Sequence, residues 1–206
     1  MTGRTLDRVM VGMLEACCRK LWGFAPAMIP KIVGRKGAFG ALGWFIANMP
    51  RYLVSLYVLG PVRFHLAGMA ISLYNNCVYC AFGHGYALEL VFLRDKGRLF
   101  PLDARTLEDW LHLEPRQLED RLRAVLHEAG LHAESMWVDR TLALASGDQQ
   151  PVDGTEARLA HMVRMLGTMN RIAIESGCVP DQAQNPVNKN LVVKARHTEL
   201  RAAASV

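Results

Sequence analysis

Apolar residues recur at spacings of three and four along most of this chain. Runs that alternate every second residue are nearly absent, so the pattern predicts an all-α protein. Leu6, Val9, Met10, Met13, Leu14 and Cys17 form one helical stripe that should end near Gly23, ahead of Pro26 and Pro30. A Gly-rich and Pro-rich passage follows to about Gly37. Three helices should come next, roughly 38–47, 50–59 and 61–74, with Pro50 and Pro61 at first-turn positions where a missing N–H costs nothing. Asn75 and Asn76 break the pattern and suit the cap of a helix running from Cys77 to about Arg94. Beyond it, 103–112, 114–129 and 132–145 read as amphipathic helices, with Gly130 stopping the second. Asp153 or Thr155 should open a long helix that ends near Gly177. The expected organisation is a single helical domain over residues 1–180 and an irregular C-terminal tail over 181–206.

Composition narrows the setting. With 206 residues, 51% of them hydrophobic, the chain can bury a sizeable core in one domain. The stretch from Phe64 to Leu88 carries no Asp, Glu, Lys or Arg, which raises the question of a membrane span. His65, Asn75, Asn76 and His84 lie inside it and are costly in lipid, so a buried helix pair is expected and no membrane partner. A net charge of +5 invites nucleic acid, but the basic residues are interleaved with acids, as in RQLEDRLR at 116–123. That pattern is a solvated helix face, and no nucleic-acid partner is expected. Arg4, Asp7, Arg8 and Glu15 interrupt the N-terminal segment where a secretory signal needs an unbroken apolar run, so a cytoplasmic, thiol-reducing location is expected. Five cysteines, an odd number, argue against a secreted disulfide framework. Cys17 and Cys18 are adjacent in a helical pattern, point to different faces and should be packing residues.

The remaining chemistry concentrates at Cys77, Cys80 and His84. Steps of three and then four residues put all three side chains on one helix face. The two thiols lie in the first turn, where free backbone N–H groups and the helix dipole favour an anion. A thiolate is the reactive form of cysteine, and such a position lowers its pKa. His84 can take or return a proton near pH 7. The set supports a two-cysteine cycle in which one thiolate attacks an oxidant, becomes a sulfenic acid and is resolved by the other thiol as a disulfide. His84 is the closer helical neighbour of Cys80, which favours Cys80 as nucleophile and Cys77 as resolving thiol. Tyr79 between them could donate to substrate or simply pack. Gly83 and Gly85 cost about 1 kcal/mol each in a helix and suggest close packing or room above the thiols. The Met-rich stretch from His161 to Asn170 reads as flexible core filler. GRKG at 34–37 lacks the spacing of a phosphate loop, and no resident cofactor is expected.

The passage from His65 to His84, HLAGMAISLYNNCVYCAFGH, resembles the active-site segment of the AhpD-like alkylhydroperoxidase family, within the carboxymuconolactone decarboxylase superfamily. The likeness rests on Asn75-x-Cys77-x-Tyr79-Cys80-x3-His84 behind an apolar helix. It implies an AhpD-like helical bundle that assembles as a trimer or hexamer and has thiol peroxidase activity. Cys80 would then meet the peroxide, Cys77 resolve, and His84 join a proton relay, with reducing equivalents supplied by a dithiol or lipoyl-type partner protein. The chain departs from the family at one point: the relay usually begins with a Glu twelve residues before the first cysteine, and His65 stands there. His65 is thus a further candidate for the relay. It also completes a Cys2His2 set with Cys77, Cys80 and His84, the ligand types of tetrahedral zinc, which makes a non-enzymatic zinc-holding or redox-sensing oligomer the alternative. Glu89, five residues after His84, falls elsewhere on the helix and is not expected to replace the Glu.

Overall fold

The computed structural model describes residues 3–204, and every regular element among them is helical. Eight α-helices follow in order: α1 (Gly3–Trp22), α2 (Ile29–Leu59), α3 (Pro61–Tyr74), α4 (Val78–Lys96), α5 (Pro115–Ala129), α6 (His132–Ser146), α7 (Gly154–Glu175) and α8 (Leu191–Ala204). Two 3₁₀ segments, Ala104–Trp110 and Pro186–Lys189, join them. The uncharged stretch noted in the sequence is the central hairpin of α3 and α4. From Phe64 to Leu73 every residue is buried, as are nearly all from Tyr79 to Leu93, so these helices, apolar on all sides, are enclosed by the rest of the fold. No described helix is long and apolar enough to cross a membrane. One side of the hairpin packs with α1, α2 and α7 in a core that includes Trp22, Ile32, Tyr52, Phe64 and Met165. The other side meets the Ala104–Trp110 segment, α5 and α6 through Met69, Leu88, Phe92, Leu107 and Leu122.

Local signals explain most boundaries. Glu114 and Gln117 close a reciprocal capping box ahead of Pro115, and Gly130 ends α5 in the left-handed region at φ 72°. Asp153 opens α7 by accepting the Glu156 N–H at 2.8 Å. Met162 and Met165 lie in the core, as their spacing suggests.

Four boundaries differ from the sequence-based expectation. The Gly/Pro passage is largely helical: α2 starts at Ile29, with Pro30 in its first turn, and bends at Gly37, whose φ of 68° and ψ of 166° leave the helical region. Met28, Ile29, Ile32 and Val33 are all buried, and that burial outweighs the helix cost of one glycine, about 1 kcal/mol. Pro50 lies inside α2 rather than opening a new helix. The segment after Asp103 is 3₁₀, capped by the Asp103 carboxylate on the Arg105 N–H at 2.9 Å. The tail expected to be irregular contains α8. Buried Glu89 on α4 holds this helix: its Oε1 accepts the Ala104 N–H at 2.7 Å, and its Oε2 pairs with His197 at 2.7 Å and with Arg201. Arg201 also donates to the carbonyls of Phe100 and Leu102 at 2.8 and 2.6 Å. Glu89 therefore serves as a strut, away from the thiols.

Candidate thiol and histidine site

The turn between α3 and α4 places the first cysteine. Asn75 ends α3, and Asn76 adopts φ 58° while its side chain accepts the His112 N–H at 2.6 Å. The asparagine pair thus closes one helix rather than capping the next. Cys77 itself is the N-cap of α4, at φ −108° and ψ 94°, and its own N–H donates to Ser72 O at 2.8 Å. Cys80 sits one turn on, in the third helical position. Both are buried free thiols.

That placement makes the two sulfurs unequal. The Cys80 thiol donates to Cys77, and this is the main reason the Cys77 pKa falls below its ordinary value. Burial opposes the fall, and the amides of Tyr79 and Cys80 add to it, although neither closes a capping hydrogen bond of standard geometry. Cys80 moves the other way: donating to Cys77 pushes its pKa up, followed by burial and by the charges of Cys77, Cys178 and Asp181. Of the two, Cys77 is therefore the thiol that loses its proton first and Cys80 the one that keeps it. The sequence-based preference for Cys80 rested on His84 as its base, and no hydrogen bond joins the two. His84 commits its Nδ1 to His65 at 3.0 Å, and its Nε2 has no protein partner.

The proton positions in this histidine pair follow from one backbone amide. Val187 N–H can only donate, so the atom of Asn185 that meets it at 2.8 Å is Oδ1, and the Asn185 amide nitrogen faces His65 Nε2 at 2.7 Å. His65 Nε2 therefore accepts, its proton is on Nδ1, and it donates to His84 Nδ1. The remaining proton of His84 lies on Nε2. Both rings are fully buried. Desolvation lowers the His84 pKa to about 4, and desolvation together with the neighbouring His84 holds His65 well below 6.5. Both stay neutral at pH 7, which corrects the expectation that His84 takes or returns a proton there. Gly68 makes the dyad possible: a Cβ at that position would stand 2.6–2.7 Å from the His84 ring.

A segment from the C-terminal part of the chain covers the site. Asp181 Oδ2 accepts the Tyr79 hydroxyl at 2.8 Å and the Ala27 N–H at 2.9 Å, tying α4 to the α1–α2 connection. Tyr79 is thereby a buried tether. Gln184 packs over Gly83, and Leu107 and Ala104 pack over Gly85, so both glycines of α4 mark close approaches. Asp181, Gln184 and Asn185 are site residues that sequence spacing did not reveal. The only local trace is the density of amide and carboxylate side chains in DQAQNPVNKN, starting at Asp181. Of the other cysteines, Cys18 is buried, Cys17 is exposed rather than packed, and Cys178 is half-buried beside the core that holds the pair.

Comparison with known proteins adds no relative. No protein-family model, no curated protein and no solved structure matches this chain. The site is therefore read from its own geometry. All four sequence-derived residues belong to the α3–α4 hairpin, paired as Cys77 with Cys80 and His65 with His84. Among the described residues no group of three His, Cys, Asp or Glu side chains has a geometry that could hold a metal ion. A Cys2His2 zinc site would require the histidines to exchange their mutual hydrogen bond for the metal.

Proposed function

We propose that this protein is a thiol-dependent peroxidase of the kind its Cys77–Cys80 motif resembles, with an AhpD-like helical architecture. The observation that carries the reading is the placement of two buried free thiols one turn apart at a helix N-terminus, Cys77 as the N-cap of α4 and Cys80 in its third position. In the proposed cycle Cys77 takes the Cys80 proton and the resulting Cys80 thiolate attacks the peroxide. An S–O bond forms as the O–O bond breaks, leaving Cys80 as a sulfenic acid and releasing an alkoxide that gains one proton from solvent. Cys77 then attacks the Cys80 sulfur, the disulfide forms and water departs, taking the Cys77 proton. A high-pKa thiolate is the stronger nucleophile once formed, which suits Cys80 to the first step. The histidine dyad, neutral and linked to Asn185, positions the hairpin rather than acting as a base for the thiols.

Burial of both sulfurs favours a slender reductant, such as a lipoyl-type dithiol arm on a partner protein, over a broad protein surface. Self-association belongs to the same proposal. On α2, Phe39, Gly43, Ile46, Pro50, Leu53 and Tyr57 follow one another in alternating steps of four and three and are all exposed, with Arg51 the one charged residue between 38 and 59. A second copy of the chain, as in the trimer or hexamer implied by the resemblance, would cover this seam.

The deciding measurement is peroxide consumption with a dithiol reductant by protein purified without chelator. Cys80→Ser should abolish turnover, and Cys77→Ser should leave a stable sulfenic acid; a Cys80→Ser protein as fast as wild type would sink the reading. Stoichiometric zinc together with unreactive thiols in the same preparation would replace it with the zinc-holding alternative.

A further inference from the structure

Where α2 and α7 meet, Arg51 and Ser55 of α2 and Gly154, Arg158, His161 and Arg164 of α7 line an open groove of about 300 Å³. Positions 51 and 55 are one turn apart, and 158, 161 and 164 follow at steps of three, so each helix turns one face to the groove. No carboxylate lines it. Arg63, Arg140 and Arg201 each sit against a glutamate, whereas the side chains of Arg51, Arg158 and Arg164 have no ion pair or hydrogen bond among the described residues. The acids at the start of α7 are committed elsewhere. Asp153 caps the Glu156 N–H at 2.8 Å, and Glu156 pairs with Arg140 at 2.6 Å.

Two buried polar side chains belong to the same wall. Ser55 is 1% exposed, and its hydroxyl makes no hydrogen bond among the described residues, so it is free to donate to an occupant. His161 is 8% exposed. Asn48 Nδ2 donates to Trp44 O at 2.8 Å, so Asn48 Oδ1 faces His161 Nε2 at 3.1 Å and the imidazole proton lies on Nε2. His161 Nδ1 is unpartnered and sealed from solvent. Burial lowers the His161 pKa, and the charges of Arg51 and Arg164 lower it further. Cations from two different helices thus act on one point, and the sealed ring reports the charge in the groove without touching what occupies it.

We infer that this groove binds the phosphate group of a small soluble molecule, held by Arg51, Arg158 and Arg164 with Ser55 as a further donor. The inference is independent of the peroxidase reading. A phosphate monoester carries about 1.5–2 negative charges at pH 7 and three strong acceptor oxygens, and the planar fork of arginine meets such oxygens two at a time. A carboxylate has one charge and two oxygens, and would leave most of the positive charge unmet. Gly154 opens α7, whose first-turn N–H groups and dipole add to the attraction for an anion. No Phe, Tyr or Trp lines the groove, so it offers no ring on which a nucleobase would stack, and three arginines at one spot are not a track for a polynucleotide. The volume suits a small molecule, which would tie α2 to α7.

The probes are inorganic phosphate and glycerol 3-phosphate, titrated into the full chain at constant ionic strength, with acetate as the control. Calorimetry should show saturable binding of both phosphates, about tenfold or more tighter than acetate. In parallel, the His161 ring resonances, assigned by their loss in His161→Gln, should titrate at higher pH once phosphate is bound, because the anion offsets the field of Arg51 and Arg164. Arg51→Gln, Arg158→Gln and Arg164→Gln should each weaken binding about tenfold with unfolding midpoints held at the wild-type value. Arg116→Gln, on exposed α5 surface, should leave it unchanged. Acetate binding as tightly as phosphate, or Arg116→Gln weakening it as much as the three, would reduce the groove to diffuse surface charge and overturn the site. Heat of binding with an unmoved His161 titration would place the phosphate elsewhere and overturn it equally. Vesicles of phosphatidylcholine with phosphatidic acid should sediment no more protein than phosphatidylcholine alone. Sedimentation that is lost in Arg51→Gln, with neither soluble probe bound, would replace the small molecule by a lipid headgroup.

Discussion

At the scale of single residues, the histidine dyad has the sharpest consequences. Unfolded histidine titrates near 6.5, whereas His84 in the folded protein titrates near 4 and His65 well below 6.5. Below pH 6.5 the unfolded chain therefore binds more protons than the folded one, and stability must fall as pH drops from 6.5 toward 4. The His84 contribution alone is about 3 kcal/mol over that window, and urea midpoints measured from pH 7 to pH 4 should record it. A midpoint flat across this range would contradict the neutral dyad. Asn185→Ala removes the donor to His65 Nε2 and the acceptor for the Val187 N–H together. It should cost about 1–3 kcal/mol in the same urea assay. Gly68→Ala should do at least as much harm, since its methyl would overlap the His84 ring.

At the scale of elements, α8 and its strut extend the argument. Arg201→Ala leaves Glu89, buried on α4, with its charge only partly met by His197 and the Ala104 N–H. About 3 kcal/mol of stability should be lost, and amide hydrogen exchange should rise first in α8 and in the 104–110 segment. Exchange rising uniformly across the helices would mean that α8 is not a separable unit. The same region shows what the sequence leaves illegible. Helices whose apolar stripe faces one core, such as α1, α5 and α7, were legible to within a few residues, and so were the caps at Glu114, Gly130 and Asp153. The hairpin was recognisable as buried because it lacks charge. The helix over 191–204 buries little beyond His197 and is held by an ion pair to a residue about a hundred positions earlier, a contact that no local periodicity encodes. The first turns of α2 were hidden for a different reason, because glycine and proline signals masked the buried Ile29, Ile32 and Val33.

At the scale of the whole molecule, two faces matter. The exposed seam on α2 is to be tested by light scattering. Wild type should run at a multiple of 22.9 kDa, and Ile46→Asp or Tyr57→Asp should shift it toward that single-chain mass without loss of helicity. A wild type already at the single-chain mass would remove self-association from the proposal. The candidate site, by contrast, was only half legible: Cys77, Cys80, His84 and His65 stood out by spacing and by resemblance, while Asp181, Gln184 and Asn185 reach them through the fold alone. This split between an early hairpin and a late cover gives the site a history in time. Protein synthesis proceeds at about 5–20 residues per second, so the stretch from His84 to Asn185 takes on the order of 5–20 s to make. For that interval the thiol pair exists on the growing chain with His65 lacking its partner and Tyr79 lacking its carboxylate. Each molecule thus passes its first seconds with its thiols uncovered, and the reducing power of the surroundings during synthesis decides whether the pair reaches its cover as two thiols or already as a disulfide.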